Sequence, residues 1–423
     1  MHRTTVLALM GAVSLAAALP AEGQAPADEA LLRRALRLHR QVPLVDGHID
    51  LPWEIRQKAA GDISRMDFQG PLPQQHTDVP RLQAGRVGGV FWAAYVPVTA
   101  IGRGAARFAL DQIDLIHRMT AHSPQLELAR TAAEVERIHR RGQVASLIGI
   151  EGGHAIENSL GALRQFYDLG VRYMTLTHAN TLDWADAATD APRHGGLSRF
   201  GEEVVREMNR LGMLVDLSHV SPETMTDAIR VSEAPVIFSH SSARAIADHP
   251  RNVPDEVLRM LPKNGGVVMI NFYSGFVEPR GAEIARGMFD VQRRFRQQFP
   301  GNERAADSAY QAWRRANPVP RGTVGTLADH VDHIVRVAGI DHVGLGSDFD
   351  GVTTLPEGME DVSRYPYLTA ELLRRGYSDA DVKKVLGGNI LRAMRQAEQV
   401  AARLQRERGP SAATIEQLDG AGR

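Results

Sequence analysis

The sequence predicts an α/β fold, a (β/α)8 TIM-like barrel with a helical excursion between strands seven and eight. Three observations carry this. Eight apolar, strand-like runs occur at 42–48, 88–96, 144–150, 171–177, 213–218, 234–239, 265–272 and 342–347. Amphipathic segments such as Arg107–Ala121, Glu202–Leu211 and Glu223–Val231 separate most of them, and such alternation builds a parallel sheet covered by helices. Histidines and carboxylates stand just past the carboxyl ends of six runs, where a closed barrel collects its chemistry. An open doubly wound sheet is the alternative. No glycine-rich phosphate fingerprint follows the first run, which counts against a nucleotide-binding version of it.

Residues 1–25 have the layout of a secretory signal peptide. His2 and Arg3 precede an apolar run from Val6 to Ala18, and Pro20, Glu22 and Gly23 end it. The run is shorter than the roughly 20 apolar residues of a membrane span. Cleavage after Ala21 or Ala25 would therefore leave no stable span and a periplasmic or secreted protein. One hydrolase-type barrel domain is expected over 26–405, and a Gly- and Ala-containing tail at 406–423 is expected to fray. The 423 residues include no cysteine, which excludes disulfides and thiolate metal sites. A net charge of −1 offers no basic face for nucleic acid. Charged residues at 23% and hydrophobic ones at 43% describe an ordinary folded chain.

In chain order, Glu29–Gln41 carries Leu31, Leu32, Leu36 and Leu38 at helical spacing. The first strand follows as Val45-Asp46-Gly47-His48-Ile49-Asp50. Side chains alternate along a strand, so His48 and Asp50 share a face, and an imidazole and a carboxylate so placed can bind one metal ion. The third run ends at Glu151-Gly152-Gly153-His154, the fourth at Thr177-His178 and the fifth at Asp216-Leu217-Ser218-His219. The sixth ends at Ser239-His240-Ser241 and the eighth at Gly346-Ser347-Asp348-Phe349-Asp350-Gly351. Residues 276–325 are long, Arg-rich and helical in pattern, an excursion near the barrel mouth that would shape substrate access or an oligomer contact. His48, Asp50, Glu151, His219 and His240 make three imidazoles and two carboxylates, a set that suits two zinc-like ions sharing one carboxylate. Such a pair, roughly 3.5–4 Å apart, holds a bridging hydroxide and polarises a carbonyl.

These strand-end motifs, with Arg251-Asn252-Val253-Pro254-Asp255, run in order from about residue 42 to residue 400. Together they resemble the membrane dipeptidase (renal dipeptidase) family, binuclear zinc peptidases of the amidohydrolase-like group. The resemblance implies two Zn2+ per chain, with His48 and Asp50 on the first, Glu151 bridging, and His219 and His240 on the second. It implies that His178 contacts substrate beside the scissile carbonyl, that Arg251 grips the substrate carboxylate, and that Asp348 handles protons. Those roles are chemically coherent: a carboxylate can pass a proton from water to a leaving amine. An imidazole can stabilise charge on a carbonyl oxygen, and a guanidinium matches a carboxylate in bidentate fashion. The implied activity is an exported zinc dipeptidase, a metalloprotease acting on small dipeptides with a free C-terminal carboxylate. The rivals are an N-acyl amino acid deacylase or related reaction on the same site, and a non-catalytic exported metal- or peptide-binding protein. A homodimer stays open. His154, Asp350 and Asp46 read as supporting residues, while Trp53, Phe272 and Tyr273 read as pocket lining or core. Mammalian members are disulfide-linked, which this cysteine-free chain cannot be.

Overall fold

The computed structural model describes residues 24–420. Among them nine strands form: β1 Leu44–Ile49, β2 Val87–Tyr95, β3 Leu126–Leu128, β4 Val144–Glu151, β5 Val171–Thr175, β6 Leu214–Asp216, β7 Ile237–Phe238, β8 Val267–Ile270 and β9 Val343–Leu345. Every pairing between them is parallel. β2 pairs with β4, and β1 pairs with both β2 and β9, so the eight strands other than β3 close into a ring. This is the expected barrel, and each of its strands falls within or beside one of the eight apolar runs. β3 was not foreseen. It has only three residues with Glu127 in the middle, and it lies along Val144–Ser146, the half of β4 that β5 leaves free.

Strands covered on both faces need apolar side chains in both directions, and all eight residues of β4 are buried. Their inward residues, including Val45, Phe91, Leu147, Tyr173 and Met269, form a cluster with Ile390, Leu391 and Met394 of the helix Asn389–Glu407. That helix lies against Gly212 and Gly265, which lead into β6 and β8. It therefore closes the amino-terminal end of the barrel, leaving the carboxyl end for polar side chains.

The excursion consists of two helices, Pro279–Gln298 and Glu303–Ala316, inserted between β8 and β9, the seventh and eighth strands of the ring. The proposed signal segment lies outside the described residues. No described helix is long and apolar enough to cross a membrane.

The tail departs from expectation. Instead of fraying from 406, it is ordered to Gly420 and ends in a short helix, Ile415–Asp419. The Asp419 carboxylate accepts from Ser198 Oγ at 2.6 Å and from the backbone N–H groups of Arg199 and Phe200 at 3.0 and 3.2 Å. It thus satisfies orphan donors at the start of the helix Arg199–Leu211. Local polarity hid this, because the partners are more than 200 residues away. Asp419→Ala should cost about 1–2 kcal/mol, the scale of charge-assisted hydrogen bonds at a helix start. Thermal unfolding would register that as a Tm lower by a few degrees, and an unchanged Tm would mean the contact contributes nothing.

Candidate active site

Six of the eight strands of the ring deliver a His, Asp or Glu to its carboxyl end. β1 brings His48 and Asp50, β4 Glu151, β6 His219, β7 His240 and β9 Asp348, while His178 follows β5. Glu151 is at the centre. Its Oε1 lies 2.9 Å from His219 Nε2, 3.5 Å from His240 Nε2 and 3.7 Å from His178 Nε2, and its Oε2 lies 3.6 Å from His48 Nε2. His48 Nε2 is 3.2 Å from Asp50 Oδ2. Three sets of ligand-type atoms fall within 4.8 Å of one another: His48, Glu151 and His240; Glu151, His178 and His219; His48, Asp50 and Asp348. All five expected metal ligands are therefore brought together. Asp348 and His178 also lie at ligand range, which composition and spacing did not reveal.

Hydrogen bonds orient the imidazoles. Tyr173 Oη donates to Gly47 O at 3.1 Å and lies 2.8 Å from His48 Nδ1. With its proton committed, the phenol oxygen accepts from Nδ1–H, leaving the lone pair of His48 on Nε2, facing the cluster. That Nε2 is buried and without a hydrogen-bond partner among the described residues. The same logic holds at His240. Ser239 Oγ donates to Asp216 Oδ2 at 2.6 Å and lies 2.8 Å from His240 Nδ1, so His240 Nε2 also keeps its lone pair. Two buried aspartates brace these strands. Asp216 accepts from Thr175 Oγ1, Ser218 N and Ser239 N at 2.5, 3.1 and 2.8 Å. Asp46 accepts from His48 N at 2.9 Å and Ser347 N at 3.0 Å, and from Tyr365 Oη.

Charge follows this arrangement. Burial opposes ionisation of Glu151, but His48, His178, His219 and His240 outweigh it and hold the carboxyl well below its usual range. Burial, with nearby cationic groups, holds His219 and His240 well below the ordinary imidazole value. They are neutral, the form that binds metal. Burial and the Asp50 charge push Asp348 up to about 8, and Asn271 Nδ2 donates to its Oδ2 at 2.8 Å. Three non-glycine residues here adopt the left-handed region, His219 at φ +71°, Asp348 at +66° and Asp350 at +66°. Such strain persists where the surroundings dictate where a side chain must point. A Cβ at Gly351 would fall 2.3 Å from Asp50 Oδ2 and 2.6 Å from Asp348 Oδ1, so the turn passes too close to both carboxylates for a larger residue. The neutral His219 and His240 and the charged central carboxylate fit divalent cations. Against burial, Tyr173, Asp50 and Glu151 hold His48 well above the ordinary imidazole value, so a cation bound at its Nε2 would displace a proton.

A pocket of about 410 Å³ opens over this cluster, lined by Glu151, His178 and Asp348 and walled by Trp53, Tyr95 and Tyr273 among others. Arg251 also lines it. Its guanidinium is buried, Nη2 reaches His240 O at 3.4 Å, and Nε and Nη1 have no partner among the described residues. Burial lowers its pKa to about 10, which keeps it charged at neutral pH. Of the aromatics left open, Trp53 and Tyr273 line the pocket and Phe272 is core, edge-on to Phe349. His154 turns away to Val96 O at 2.9 Å, and Asp350 accepts from His76 N at 2.6 Å. Sequence reasoning missed Tyr95, Asn271 and the excursion's Met288, Tyr310 and Arg314. The first two stand at the ends of β2 and β8, so the strand-end rule, extended beyond His, Asp and Glu, would have found them.

Comparison with known proteins agrees with this geometry. The sequence pattern described as Membrane dipeptidase (Peptidase family M19) matches residues 32–408. The chain is 43% identical over 386 residues to Dipeptidase verJ of Clonostachys rogersoniana, covering 88% of this chain and 89% of that one. The structure of the probable dipeptidase PvdM from Pseudomonas aeruginosa superposes with a TM-score of 0.76 at 26% identity, over 88% of this chain and 100% of that one. A metallo peptidase from Rhodobacter sphaeroides, liganded with a phosphinate mimic of the dipeptide L-Ala-D-Ala, gives a TM-score of 0.67 at 26% identity over 84% and 99%. The chain therefore belongs to the membrane dipeptidase family, peptidase family M19, and is a metallo-dipeptidase.

Proposed function

We propose that this chain is an exported dipeptidase that uses two zinc ions to hydrolyse small dipeptides with a free C-terminal carboxylate. The carrying observation is Arg251, a buried cation with unpaired N–H groups in the same pocket as Glu151, His178 and Asp348. A solved relative that holds a phosphinate mimic of a dipeptide supports a substrate of this size. The export reading rests on the basic-then-apolar pattern of residues 1–25.

In this reading His48 and Asp50 would hold one ion, His219 and His240 the other, and Glu151 would be shared by both. Bound there, the ions supply Lewis acidity toward the carbonyl and acidify water near neutral pH. Arg251 pairs with the substrate carboxylate and fixes the scissile bond over the cluster. His178 donates a hydrogen bond to the carbonyl oxygen as charge develops on it. Asp348 takes a proton from the attacking water and delivers it to the leaving amine.

The test is a zinc-loaded hydrolysis screen over L,L-dipeptides, L,D-dipeptides and N-acyl amino acids. Release of amino acids from dipeptides, stopped by chelation, is the expected result. Cleavage of N-acyl amino acids alone would replace this reading with a deacylase. Arg251→Ala should raise KM for free dipeptides about 10–100-fold, the worth of a charge-assisted pair, and barely affect C-terminally amidated ones. Equal loss on both kinds of substrate would remove the clamp role.

A further inference from the structure

The two excursion helices lie outside the strand–helix frame, yet they reach the pocket over the cluster. Met288 comes from the first and Tyr310 and Arg314 from the second. Arg314 is half-buried, and its Nη2 donates to Thr353 Oγ1 at 3.2 Å. Among the described residues its guanidinium faces no carboxylate at ion-pair distance, although a guanidinium carries five N–H donors. A cation with spare donors in a pocket wall is a receptor for a planar anion.

Its position says which anion. Arg251 Cζ lies 5.3 Å from the centroid of the Phe276 ring, and Phe276 packs edge-on to Tyr273 at 4.9 Å. Burial raises the Tyr273 and Tyr310 phenols, and the Arg314 charge opposes that rise at both, as a guanidinium beside the two rings must. Both arginines thus belong to the wall of one pocket, and Phe276 and Tyr273 line it with them. The main-chain carboxylate and the side chain of a C-terminal residue leave the same Cα, so both can face that wall.

We propose that Arg314 binds the side-chain carboxylate of an acidic C-terminal residue, so that the enzyme prefers dipeptides ending in Asp or Glu. This rests on the dipeptidase reading, with Arg251 holding the main-chain carboxylate. Arg314 is a specificity residue and takes no part in bond cleavage.

The experiment compares kcat/KM of the zinc-loaded full chain for Ala-Glu against Ala-Gln and for Glu-Ala against Gln-Ala. Ala-Ala and Ala-Lys serve as references, and L and D forms of the C-terminal residue are both run. Ala-Glu should exceed its amide isostere by about tenfold or more, as loss of one charge-assisted pair requires, and Glu-Ala should show no such preference. Arg314→Ala should bring the Ala-Glu to Ala-Gln ratio to within about twofold of one, and Arg314→Glu should favour Ala-Lys over Ala-Glu. A wild-type ratio near one with Ala-Ala hydrolysed overturns this proposal alone, as does a preference at the N-terminal position or a ratio that survives Arg314→Ala. Failure on every dipeptide, Ala-Ala included, overturns the dipeptidase reading and this proposal with it.

Discussion

Asp348→Asn should lower kcat by about 10²–10⁴-fold, the usual worth of a positioned acid–base group, while the protein keeps its full complement of metal. The amide keeps the size of the side chain but can neither accept nor return a proton at the same atom. Burial and Asp50 already push this carboxyl up to about 8, so it exchanges a proton readily, although cations beside Asp50 and Glu151 would draw the value down. Asn271 Nδ2 donates to its Oδ2, and Asp348 is among the residues that line the pocket. Metal analysis decides between roles, because Asp348 also falls at ligand range with His48 and Asp50. Loss of metal together with activity would make Asp348 a ligand instead of a proton carrier.

Glu151→Ala should be more damaging still. Glu151 is the carboxylate toward which the Nε2 atoms of His48, His178, His219 and His240 all converge. Changes to groups that merely orient a metal ligand cost 10–100-fold in metal affinity. Loss of a carboxylate shared by both ions should exceed about 100-fold for each, with activity lost in parallel. It would also leave four imidazoles crowded around an uncompensated cavity, so Glu151→Gln, which preserves volume, separates loss of charge from loss of packing. Circular dichroism should show both variants folded and equilibrium dialysis should show both poor in metal. Full retention of one ion in Glu151→Gln would contradict the shared role.

The barrel was legible because its strands are buried on both faces and read as continuous apolar runs, as the wholly buried β4 illustrates. β3 was illegible for the opposite reason: three residues with a central charge leave no pattern, and its pairing depends on half of β4 being free. At the site, the clustering of the candidate ligands was readable because strand ends converge and His, Asp and Glu are conspicuous there. The groups that aim those ligands were not. Tyr173 sits inside an apolar strand and reads as core, and its work at His48 depends on a proton committed to Gly47. Ser239 carries no chemical signal until Asp216 takes its proton. Asp419 looked like frayed tail because its partners at residues 198–200 are remote in the chain. The excursion was located correctly, but helical periodicity could not say that Tyr310 and Arg314 would face the cluster.

Central to this account is the proposal that one carboxylate, Glu151, would be shared by two metal ions whose ligands come from four strands in all. Anomalous diffraction at the zinc edge from zinc-loaded crystals measures it most directly. Two peaks of comparable occupancy are expected, one against His48 and Asp50 and the other against His219 and His240, each touching a different oxygen of Glu151. A single peak, or two peaks of which one does not contact Glu151, would contradict it.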